Sequence, residues 1–110
     1  MKTKQTVLTT SVVALVDLPR FVFAGLDGGL CAAGAQALGS VAADTEADNA
    51  APVDVLGICL VTAGAAITVG AEVESDANGQ AVTLAAGKSN GIAMDAAAAA
   101  GDVIRIVRGI

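Results

Sequence analysis

Short apolar runs broken by Gly, Asn and Asp dominate this chain, and many of them are rich in Val, Ile and Thr. β-branched runs flanked by turn residues read as strands, because a branched side chain packs well on a pleated surface and Gly, Asn and Asp tolerate the turn conformations. The pattern predicts strands at residues 7–15, 20–24, 29–32, 40–43, 53–62, 72–74, 80–84, 91–94 and 103–107. Strands this short and this closely spaced predict a small β-barrel or β-sandwich-like domain rather than βαβ units. Asn78-Gly79 is the strongest hairpin signal and predicts a type I′ turn, with positive φ at both residues. The run 96–100, with Asp95 before it and Gly101 after it, carries a cap signal at each end and predicts a short Ala-rich helical turn.

The chain also echoes itself at a spacing of about fifty residues. Residues 27–34 and then 40–44 find a counterpart in 77–82 and then 91–95. Each copy then crosses an Ala-rich stretch and enters an apolar strand, Val53-Asp54-Val55-Leu56 in one and Ile104-Arg105-Ile106-Val107 in the other. The expected unit is a hairpin, a strand, a short excursion and a closing strand, used twice. The expected division is residues 1–19 as an N-terminal arm or first strand and residues 20–110 as a β-domain of two similar halves.

Composition changes this picture in one respect. The 110 residues suit one domain. They include 25 Ala and 13 Gly but only two aromatic side chains, Phe21 and Phe23. The core must therefore be built from medium-sized aliphatic groups, each burying less area than an aromatic ring. Such a lean core favours stability borrowed from neighbouring subunits or from a larger surface.

Charge and chemistry mostly exclude. The net charge is −5, and the six basic residues form no stripe interleaved with aromatics. Nucleic acid is therefore not an expected partner. No window approaches the ~20 apolar residues of a membrane-spanning helix. The N-terminal run after Lys2 and Lys4 is diluted by Thr6, Thr9, Thr10 and Ser11, so a soluble chain without a cleaved leader is expected. With no His in the chain, Ser-His, Cys-His and His-metal arrangements are ruled out. Cys31 and Cys59 stand outside any CxxC pair and away from clustered positive charge. They read as small buried thiols, with a Cys31–Cys59 disulfide as the alternative.

Four further patterns fall short of chemistry. Gly87-Lys88-Ser89 resembles the tail of a phosphate loop, but its leading glycine would stand where Val82 is. Glu74, Asp76 and Asn78 mimic the start of a calcium loop whose closing Glu would stand at Ala85. Residues 92–95 resemble a biotinyl or lipoyl carrier hairpin with Asp95 where the attachment lysine belongs. Asp44, Glu46, Asp48 and Asp54 form the densest acidic stretch and read as a solvated surface loop. The expectation is a non-enzymatic protein with no catalytic, cofactor-binding or metal-ligating residue and no cofactor.

The order of glycine turns and Ala/Val strands resembles the capsid cement or head decoration family of tailed phages. The matching residues are Arg20-Phe21-Val22, Leu26-Asp27-Gly28-Gly29, Gly57-Ile58 and the run from Thr62 to Val73. They continue through Asp76-Ala77-Asn78-Gly79-Gln80-Ala81, Gly91-Ile92-Ala93 and the run from Ala99 to Ile106. The resemblance implies a small β-barrel-like domain that binds the outer capsid surface and cements the coat lattice. Its implied partners are the major capsid protein and copies of itself, as a homotrimer, in a virion assembled in the bacterial cytoplasm. It also implies an extended arm, for which residues 1–15 are the candidate. Two readings stand beside it: a biotinyl- or lipoyl-like carrier, and an extracellular adhesive or pilus-like subunit with a cleaved N-terminus and a disulfide.

Overall fold

A computed structural model describes residues 3–109. The alternating Thr/Val pattern at the start forms β1 (Gln5–Val13), and the chain continues as β2 (Phe23–Ala24), β3 (Gly39–Val41) and β4 (Ala50–Thr62). The second half adds β5 (Glu72–Ser75), β6 (Ala81–Thr83), β7 (Gly91–Ala93) and β8 (Val103–Arg108). All strand pairings are antiparallel. The path β2-β3-β4-β8-β7-β5-β6, with β1 on the free edge of β4, makes one open eight-stranded sheet.

No helix occurs among the described residues. The 96–100 run is a loop instead, because Ala97 and Ile67 exchange both main-chain bonds, at 2.9 and 3.0 Å. That pairing holds Ala97 in an extended bridge and occupies the amide a helical turn would need. The segment at 29–32 likewise shrinks to a single bridge, Ala24↔Leu30. The Asn78-Gly79 turn also differs from expectation. Only Gly79 has positive φ (75°), because the loop holds three residues between Asp76 and Gln80 and needs one left-handed residue to close it. Asp76 Oδ1 accepts the Asn78 and Gln80 amides at 2.8 and 2.9 Å and fixes the turn.

The same set of main-chain bonds is made twice. Ala14 N donates to Asn49 O and accepts at its own carbonyl from Asp48 N; Ala63 does the same with Asp102 and Gly101. The reciprocal pair Leu18 and Thr45 recurs as Ile67 and Ala97. Phe21 N to Val41 O recurs as Gly70 N to Ala93 O, and Gly28 N to Gly25 O as Gly79 N to Asp76 O. The register places Val41 against Ala93 and Val53 against Ile106 as equivalents. The spacing in the third strand is therefore one residue longer than the sequence echo suggests. A one-residue offset would exchange the two faces of the strand, so only this register puts apolar side chains inward in both halves.

Two cores result. One gathers Ala14, Leu18, Val22, Ala24, Val41, Ala51 and Val53; the other is centred on Cys59, Val61, Ile67, Val73, Ile104 and Ile106. The strands β4 and β2 join them. The long β4 contributes Ala51 and Val53 to the first core and Cys59 and Val61 to the second. In β2, Ala24 faces the first core and Phe23 the second, as period-two alternation requires.

Candidate functional site

The acidic stretch 44–54 does not act as a unit. Asp44, Glu46 and Asp48 lie in an exposed loop, but Asp54 sits inside β4 and is only 2 % exposed. Its position corrects the reading of that stretch as a solvated loop: β4 begins at Ala50 and carries Asp54 into the sheet between β1 and β3. A buried carboxylate needs donors. Lys4 Nζ donates to Asp54 Oδ2 at 2.9 Å and Thr9 Oγ1 to Oδ1 at 2.9 Å. Both donors come from the N-terminal segment, so this carboxylate fastens β1 to the body. The sequence offered no sign of the pair, since Lys4 and Asp54 are far apart along the chain. Lys4→Ala would leave the carboxylate with Thr9 alone, a loss of about 1–2 kcal/mol for a charge-assisted bond whose cation is partly solvated. Hydrogen exchange checks it: the β1 amides should exchange faster while β8 is unchanged.

Cys31 and Cys59 are both free and buried. Burial raises the acid pKa of each thiol above the ordinary 9.0, and for Cys59 the charge of Asp54 adds to the effect. A raised thiol pKa means the folded state holds its protons more tightly than the unfolded chain. That contribution is intact below pH 9 and is lost as pH rises through the folded-state values. Thermal stability should therefore fall above about pH 9, where unfolded thiols ionise, and Cys31→Ala/Cys59→Ala should flatten that slope. A slope unchanged in the double variant would show the thiols are not its source.

The neighbouring Arg108 is a half-buried cation whose guanidinium bonds to main-chain carbonyls rather than to a carboxylate. Its Nε donates to Val55 O at 2.9 Å and Nη2 to Ala37 O at 3.1 Å, while Nη1 is buried and unbonded. Desolvation lowers its pKa. Because Val55 and Ala37 belong to the first half, this side chain ties the end of β8 back onto it.

The remaining motif residues are engaged structurally. Glu74 accepts the Ala85 and Gly87 amides at 3.2 and 2.8 Å, so a carboxylate sits where the phosphate-loop reading would put an anion. Asp95 receives a two-pronged bond from Arg105, at 3.0 and 2.9 Å, at the position the carrier reading would reserve for a lysine. No group of three or more acidic or cysteine side chains among the described residues is placed to hold a metal ion. Among the described residues no helix is long and apolar enough to cross a membrane.

The exposed surface is more distinctive. Residues 5–13 of the candidate arm form β1, paired to β4 along its length, while Met1 and Lys2 lie outside the described residues. Among the described strands, β1 pairs only with β4, so its outer edge is open. Most of its side chains are exposed, including Val7 and Leu8. The chain then turns through Leu15 and Val16, which are also exposed. Next to this corner Phe21 is held at φ 65°, a conformation costly for a bulky side chain, and Gly70 takes the equivalent place in the second half. Arg20 stacks over the Phe21 ring, 4.9 Å from its centre.

Comparison with known proteins finds a family and a shared fold. A family model described as phage cement protein matches residues 1–108. No curated protein matches the chain. Among solved structures, the head fiber gp8.5 N base of bacteriophage phi29 shares the fold, with a TM-score of 0.73. The two are 20 % identical over 93 % of each chain.

Proposed function

Because the chain belongs to the phage cement protein family, we propose that it binds the outer surface of a phage capsid and cements the coat lattice, with the major capsid protein as its partner. The observation that carries this reading is the family match, which spans nearly the whole chain. The geometry supports it. An open, Thr- and Val-rich edge strand is the form in which one sheet adds to another chain's strand. Two small cores linked through β4 and β2 suit a domain that gains stability by docking.

In this reading residues 1–19 supply the first strand and any arm, and residues 20–110 the body of two similar halves with a barrel- or sandwich-like outline. Copies assemble as a homotrimer, which sedimentation of the free protein would register as three times the chain mass. The free thiols fit manufacture in a reducing host cytoplasm. The role is structural, with no catalytic, cofactor or metal residue.

The test uses particles that lack the protein. Added protein should co-sediment with them and raise their thermal or mechanical resistance. Particles that neither take it up nor gain resistance would refute the assignment.

A further inference from the structure

The duplicated backbone supplies an internal control for the surface. Val13, Leu15, Val16 and Leu26 occupy one corner of the first half and are 61, 58, 45 and 69 % exposed. The corner is one structure: Leu15 N donates to Gly28 O at 3.1 Å, which brings the hairpin carrying Leu26 against the end of β1. In the second half Thr62, Gly64 and Ala65 stand in the strand-end positions of Val13, Leu15 and Val16, and Ala77 in the hairpin position of Leu26, although Gly64 N there donates to Ala81 O rather than to Gly79 O. The strand end and the hairpin turn thus each form in the second half without large apolar side chains at these positions, so neither element calls for them in the first. Exposed apolar groups gathered in one place and rimmed by polar ones mark an interaction surface.

The rim supplies the partner's sign. Asp17, Asp44, Glu46 and Asp48 are all exposed beside this corner. At the second corner the counterparts are Ala66, Ala96, Ala98 and Gly101, which leaves Asp102, an acceptor of the Ala98 and Ala99 amides as Asp17 and Asp44 are of the Ala47 and Arg20 amides, as the carboxylate nearby. A second copy would bring like charges face to face, in a chain whose net charge is already −5.

We propose that this first-half corner is the face that docks on the coat, onto an apolar patch of the capsid surface rimmed by Lys and Arg side chains. The proposal rests on the capsid-binding reading and specifies which surface performs it. The apolar centre supplies the contact area, and the carboxylate rim steers and orients the approach. The second-half corner, which exposes Val69 but lacks the apolar cluster and the carboxylate rim, stays out of the contact.

Two full-length variants test it against particles lacking the protein, with the unaltered chain alongside. Leu15→Ala/Val16→Ala/Leu26→Ala should fold with an unchanged circular dichroism spectrum and lose at least about ten-fold in particle affinity. Asp17→Asn/Glu46→Gln/Asp48→Asn keeps the local amide bond to Asp17 and should lose about ten-fold at low salt, with a flattened salt dependence. If the unaltered chain binds and both variants bind equally well, the docking face is elsewhere and the proposal is overturned. It is also overturned if the apolar variant loses self-association in sedimentation but still binds particles, which would make the corner a contact between copies. If the unaltered chain itself fails to bind, the cement reading falls, and that result is distinct from either of the others.

Discussion

Phe23→Ala should lower stability by about 3–5 kcal/mol, the cost of removing a buried ring and leaving a cavity. For a domain with about 5–15 kcal/mol in total, that approaches outright unfolding. The expectation is at the high end because Phe23 is fully buried, and the side chains around it are mostly Ala, Val and Cys. Small neighbours reach poorly across a gap, so the cavity would persist. The ring also lies in the core of the second half although its strand belongs to the first. Its loss should therefore weaken both halves together. Urea denaturation followed by circular dichroism should show one transition moved to lower urea, and Phe23→Leu should recover most of the loss. Two separate transitions, with the second half unfolding alone, would show that β2 does not couple the cores.

Gly39→Ala should cost more than about 2 kcal/mol, as overpacking against main chain does. A Cβ at this position would stand 2.0 Å from Asp54 O and 2.8 Å from its carbonyl carbon. Those atoms belong to β4 and cannot swing aside as a flexible side chain would. Relief requires β3 to part from β4, which would open the first core and disturb the Asp54 carboxylate that holds β1. Ordinarily Gly→Ala at a permitted φ stabilises by about 0.4–1 kcal/mol, so the predicted sign is reversed here. Gly70→Ala is the comparison: nothing lies within 4 Å of its Cβ, but its φ of 87° costs an L-residue about 1–2 kcal/mol. Thermal melts of both variants decide the matter, and Gly39→Ala no less stable than Gly70→Ala would refute the close approach.

Much of this architecture was legible in the residues. β-branched runs between turn formers gave most of the strands, though not the one expected at 29–32, since period-two alternation and turn chemistry are local properties. The recurring main-chain bonds run in a register that one-residue shifts in loop length hide from the sequence. The Ala-rich run was misleading for a related reason. Alanine has a high helix propensity, but five residues form a weak nucleus, and pairing with Ile67 supplied bonds a lone turn could not match.

The candidate surface was only half legible. The Thr/Val-rich start announced an edge strand, and the acidic stretch announced a loop. That Leu26 would join Leu15 and Val16 at one corner depended on the hairpin meeting the end of β1, a contact between distant segments. The buried pairing of Asp54 with Lys4 and the insertion of Arg108 between the halves have the same origin.

Composition and local pattern were enough to set an all-β chain without histidine, with a lean aliphatic core and a net negative charge. Tertiary structure alone decided which carboxylate is buried, which apolar residues stay outside, and how the two halves share β4 and β2. The physical reason is that burial is a property of what packs against a residue, and in this sheet the packing partners come from strands far apart in the chain.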